Sequence, residues 1–280
     1  DLRMSRGLGD VYKRQIMNSG IYMALHCLIL AGSNVLVALL GCRRIRQPLG
    51  GLFRTTDFSG WKAFQYICIG IGLQYVAVLI YAVLKYVGQG LGMEFPEVSF
   101  DYFQTGQSTM LVLLYTCILA PITEELLFRG FLLKSLSVVS TRFGVIVTAL
   151  LFGLMHGNVQ QGILGVLVGL FLGKIVIRHN SLTPSILAHI ALNTSSTLIS
   201  VLLALLPENI GNVAILPLEF VVLAMAVMGV AFWFGKERKE PLPYPTQKQA
   251  TRNRVFWSSP LLLLAFAALL GLMVYHAMAV

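Results

Sequence analysis

The chain has 280 residues, of which 56% are apolar and only 12% charged, at a mean hydropathy of +0.77. A water-soluble domain carries roughly 25% charged residues, so this composition excludes one and points to an all-α, polytopic integral membrane protein. The formal charge of +9 does not call for a nucleic-acid partner, because the basic residues fall between apolar runs rather than on one soluble face. Cys27, Cys42, Cys68 and Cys117 sit in or beside apolar segments without a C-x-x-C pair, and read as small hydrophobes.

Residues 1–15, DLRMSRGLGDVYKRQ, are polar, lack the apolar centre of a signal peptide, and resemble translated adapter sequence. They read as a non-native leader. Residues 16–280 are expected to form one membrane domain of about eight transmembrane helices around a polar intramembrane cavity. Apolar runs fall at 16–42, 61–87, 108–134, 138–157, 162–178, 184–205, 214–235 and 255–279. Each is near or above the about 20 residues that a span needs. The loops alternate in sign. Residues 43–62 carry Arg43, Arg44, Arg46, Arg54 and Lys62, while 88–107 carry Glu94, Glu97 and Asp101 with no base. Lys134, Arg142 and Arg178 continue the pattern, as does the basic linker 236–254, read as cytoplasmic. In the fifth run Gly165, Gly169 and Gly173 recur every four residues, which predicts close packing on one helix face. No internal repeat is visible, which weighs against an inverted-repeat transporter.

Charge inside a span is costly, on the order of 3 kcal/mol even on lenient scales, so the intramembrane ionisable residues carry the functional information. In the third run Glu125 precedes Arg129 by four residues, the spacing of an ion pair on one helix face. Glu124 points about 100° away and has Phe128 rather than a base at its own i+4 position. It is left as an unpaired carboxyl suited to act as a general base. His156 closes the fourth run, and His189 opens the sixth with Asn193 one turn further along the same face. With straight helices counted from the inner face, Glu124 falls at about 15 Å, His156 at about 20 to 27 Å and His189 at about 8 Å, so depth alone does not bring them together. His26, His179 and His276 read as interface or structural residues.

Glu124-Glu125-x-x-x-Arg129, Phe152-x-x-x-His156 and His189-x-x-x-Asn193, in this order on separate helices, resemble the three motifs of the CAAX protease and bacteriocin-processing family, the type II CAAX prenyl endopeptidase-like intramembrane proteases. The motif-bearing region is about 108–200. The resemblance implies an all-helical core whose site opens toward the cytoplasm, and cleavage of a membrane-associated protein or peptide within the lipid bilayer. By position, Glu124 would activate water with His156 as its partner, and His189 and Asn193 would bind the oxyanion. Glu125, Arg129 and Phe152 would support the site.

The resemblance also raises zinc, for which Glu124, His156 and His189 would make a two-His, one-carboxylate set. The chain has no H-E-x-x-H string, so the expectation is a water activated without metal, with zinc as the alternative. No G-x-S-x-G string and no pair of intramembrane aspartates offers another hydrolytic centre. The other readings are a non-catalytic bacteriocin self-immunity or scaffold protein and a proton-coupled transporter. The compact chain suggests a prokaryotic plasma membrane.

Overall fold

Ser59, Ser140 and Asn158 each stand immediately before an apolar run, and each starts a helix. Their side-chain oxygens accept from the backbone N–H of Lys62 at 3.2 Å, Phe143 at 3.1 Å and Gln161 at 2.8 Å, meeting donors that a helix start leaves without partners. The computed structural model describes residues 20–55, 58–92, 106–138, 140–207, 210, 213, 215–235, 264 and 266–271. The leader 1–15, the linker 236–254 and most of the run 255–279 lie outside the described residues.

Among the described residues there is no strand, and the main helices follow in order. They are α1 (Gly20–Arg44), α2 (Gly60–Gly90), α3 (106–137), α4 (Thr141–Leu154), α5 (Val159–His179), α6 (Thr183–Leu205) and α7 (Leu216–Gly235). Pro184 stands in the first turn of α6, where its missing N–H costs nothing. Asn180 ends α5 in the left-handed conformation, at φ 47° and ψ 34°. Among the described residues six helices are long and apolar enough to cross a membrane, all of these except α4. The protein is a multi-pass membrane protein. Of the eight runs read in the sequence, the last lies mostly outside the described residues, and the fourth, 138–157, becomes a 14-residue helix. At 1.5 Å per residue α4 is about 21 Å long, short of the roughly 30 Å of a hydrocarbon core.

α3 is continuous but not uniform. It contains two π-helical segments, Tyr115–Leu119 and Leu126–Leu133, on either side of the α-helical piece Ala120–Glu125. Such wide turns are uncommon and concentrate at functional sites.

The basic helix ends lie together. Tyr66 near the start of α2 hydrogen-bonds His179 at the end of α5 at 2.9 Å, and Lys134 near the end of α3 donates to Asn180. The backbone N–H of Leu182 donates to the Leu52 carbonyl at 2.7 Å, fixing the start of α6 beside the α1–α2 connection. The main apolar core is shared by α2 (Tyr66, Ile71), α5 (Phe171, Leu172), α6 (Leu192) and α7 (Ala226).

α4 and α5 approach to backbone distance, as the glycine spacing predicts. A Cβ on Gly165 would lie 2.8 Å from the Gly153 Cα, and one on Gly169 would lie 3.0 Å from the Ala149 Cα. With no water to drive helices together in lipid, such close contact supplies much of the attraction.

Candidate active site

α3 presents Glu124, Glu125 and Arg129, α4 presents Phe152 with His156 just past its end, and α6 presents His189 and Asn193. The Glu125–Arg129 pair forms as the i,i+4 spacing predicts: Arg129 Nη1 donates to Glu125 Oε1 at 2.8 Å, with both side chains at 0% exposure. Arg129 Nη2 also donates to the Gly169 carbonyl at 3.3 Å on α5. Its guanidinium carbon lies 4.4 Å from the centre of the Phe152 ring, a desolvated cation–π contact.

His189 joins the two glutamates. Its Nδ1 donates to Glu125 Oε1 at 3.1 Å, and its Nε2 lies 3.8 Å from Glu124 Oε2. The two carboxyls leave the helix about 100° apart, and the two edges of one imidazole span that difference. Glu124 is therefore not isolated, as the sequence suggests, but faces a histidine across a gap slightly too long for a direct hydrogen bond. The straight-helix depths place Glu124 and His189 about 7 Å apart along the membrane normal. Helices that start at different levels, and an α3 interrupted by two wide turns, remove that offset.

His156 Nδ1 lies 2.7 Å from the Phe152 carbonyl. A carbonyl only accepts, so Nδ1 carries the hydrogen and Nε2 of the neutral ring is an acceptor. The Phe152 ring makes edge contacts with both histidines, its centre 5.0 Å from the His156 ring and 5.7 Å from the His189 ring. Phe152 thus touches His156, His189 and Arg129 at once. Asn193 does not turn toward the glutamates: its Nδ2 donates to the Thr116 carbonyl at 2.9 Å, in the first π segment of α3.

Glu124 Oε2 and His189 Nε2 are close, but among the described residues no three His, Cys, Asp or Glu side chains are grouped so as to hold a metal ion. As they stand, Glu124, His156 and His189 do not form that site.

Two participants are main-chain carbonyls, Thr116 and Gly169, which side-chain chemistry alone does not reveal. The traces available in the sequence were Pro121, which disturbs the helix beside Thr116, and the glycine spacing of α5.

Residues 106–195, about a third of the chain, match the family model described as type II CAAX prenyl endopeptidase Rce1-like. All three motif strings fall within this stretch, and its helices are α3, α4, α5 and the first half of α6. No curated protein and no solved structure matches the chain. Over this stretch the chain is similar to type II CAAX prenyl endopeptidases.

Proposed function

We propose that the protein is an intramembrane endopeptidase that hydrolyses a peptide bond in a membrane-associated protein or peptide. The observation that carries the reading is His189 held between Glu124 and Glu125 inside a bundle of membrane-spanning helices.

A water resting on Glu124 Oε2 and His189 Nε2 can contact both across their 3.8 Å separation. Glu124 takes its proton as the water attacks the scissile carbonyl, and His156, an acceptor at Nε2, assists in moving that proton. Negative charge then develops on the carbonyl oxygen. Asn193, through its second Nδ2 hydrogen, and His189, when its Nε2 carries a hydrogen, are the donors assigned to it; as the C–N bond breaks, Glu124 passes its proton to the leaving amine and the new C-terminal acid is released. Glu125 and Arg129 fix the orientation of His189, and Phe152 spaces the two histidines. No step requires a metal ion. The basic helix ends support a site that opens toward the cytoplasm, in a prokaryotic plasma membrane.

The test is cleavage in proteoliposomes and a comparison of the peptides released by membranes carrying wild-type protein or Glu124→Ala. Loss of cleavage in Glu124→Ala and in His156→Ala, with insertion unchanged, supports the reading. Normal cleavage by both variants overturns it and favours a self-immunity or scaffold role. Uptake driven by a pH gradient, without cleavage, would favour a transporter.

A further inference from the structure

In a regular α-helix the N–H of Ala120 would bond the carbonyl four residues back, that of Thr116. Here it bonds the carbonyl five residues back, that of Tyr115. The next main-chain donor able to serve Thr116 in a π-turn is residue 121, and residue 121 is proline, which has no N–H. The Thr116 carbonyl has thus lost both of its ordinary helical donors. Inside a bilayer no bulk water replaces them. It receives instead the side-chain amide of Asn193, at 2.9 Å, from a helix 77 positions further along the chain.

The piece that follows is Ala120–Glu125, in which Pro121, Thr123, Glu124 and Glu125 are buried. The extra residue in the π-turn rotates this piece relative to the first part of α3 by about one residue, or about 100°. If the turn relaxed to α-helical winding, Glu124 and Glu125 would swing away from His189.

We infer that Asn193 is a positioning residue: its side-chain amide replaces the backbone donor that Pro121 removes, and so holds the π-turn that aims both glutamates at His189. The same hydrogen does not serve the oxyanion, so Asn193 divides its two Nδ2 hydrogens between helix and substrate. The inference rests on the proposed function only in taking Glu124 and Glu125 as the working carboxyls.

The experiment is a double-mutant cycle on the full chain in detergent, with Asn193→Ala, Pro121→Ala and the two combined. Pro121→Ala restores an N–H that can reach Thr116. Asn193→Ala is expected to lower the thermal unfolding midpoint by about 5 °C. Pro121→Ala should raise the midpoint by more in the Asn193→Ala background than in the wild type, where Thr116 is already satisfied. Where Asn193→Ala does not accumulate, the same comparison is read as membrane yield.

A second readout is the Nδ1 resonance of His189 in protein labelled with ¹⁵N-histidine. It should move in Asn193→Ala, as Glu125 turns away, and return in the double variant. Equal effects of Pro121→Ala in both backgrounds, or a His189 resonance that does not move in Asn193→Ala, would overturn the inference. A wild-type protein that cleaves nothing would instead remove the endopeptidase reading and leave the stability cycle as it stands.

Discussion

Glu125 accepts the Nδ1 hydrogen of His189 at 3.1 Å, and the same oxygen receives Arg129 at 2.8 Å. One oxygen of a fully buried carboxylate therefore holds both a guanidinium and an imidazole. The pair read in the sequence as simple charge neutralisation also determines how the histidine on α6 is turned.

Arg129→Ala removes the guanidinium from buried Glu125, leaving it only His189, and is expected to cost about 3–5 kcal/mol, seen as a large fall in the thermal unfolding midpoint in detergent. Replacing both residues, Glu125→Leu with Arg129→Met, should recover most of that loss, since apolar side chains of similar volume often match a buried ion pair. Cleavage should stay absent in the double variant, because His189 has lost its Nδ1 acceptor. Recovery of activity along with stability would show that the pair only supports the fold.

Glu124→Gln and Glu125→Gln should separate cleanly. The first keeps the shape of Glu124, leaves the Glu125–Arg129 pair intact, and should reduce the cleavage rate by about 10²-fold or more while leaving the midpoint near wild type. The second weakens the Arg129 contact and should lower rate and midpoint together. Equal destabilisation by both substitutions would contradict the division of roles between the two carboxyls.

Gly165→Ala places a methyl group 2.8 Å from the Gly153 Cα, where only a shift of α4 against α5 can relieve it. Overpacking of this kind costs typically about 1–3 kcal/mol. The shift should also disturb His156, whose Nδ1 lies 3.4 Å from the same added atom. A reduced rate at a temperature where the variant remains folded is the outcome to look for. Gly50→Ala, with open space around the added Cβ, is the control.

Removal of divalent metal tests the proposed water activation directly. Purified protein treated with a chelator is expected to retain its cleavage rate, and elemental analysis is expected to find no stoichiometric zinc. Zinc at one equivalent, with activity lost on chelation and restored by zinc, would require Glu124, His156 and His189 to converge more closely than in this structure.

Most helix positions were legible because apolar length and capping residues act locally: Ser59, Ser140 and Asn158 start helices where their side chains meet orphan N–H groups. The Glu125–Arg129 pair was legible for the same reason, since four residues is one turn. Contacts between helices were not. Nothing local says that the two edges of His189 would meet two adjacent glutamates, or that Asn193 would serve a carbonyl on α3. The 14-residue length of α4 was also hidden, because an apolar run continues through Met155 into the turn that carries His156. Such features depend on which carbonyl lacks a donor and which helix lies nearby, and those are properties of the assembled bundle.

The shared core of α2, α5, α6 and α7 bears on how this protein can be divided. The family match begins with α3 and ends inside α6, yet Phe171 and Leu192 within it pack against Tyr66 and Ile71 of α2, outside it. A fragment cut at the borders of the match would strip one side of α5 and leave α6 half-length. The matched stretch is thus not a unit of folding: its helices are completed by flanking helices that lie outside it.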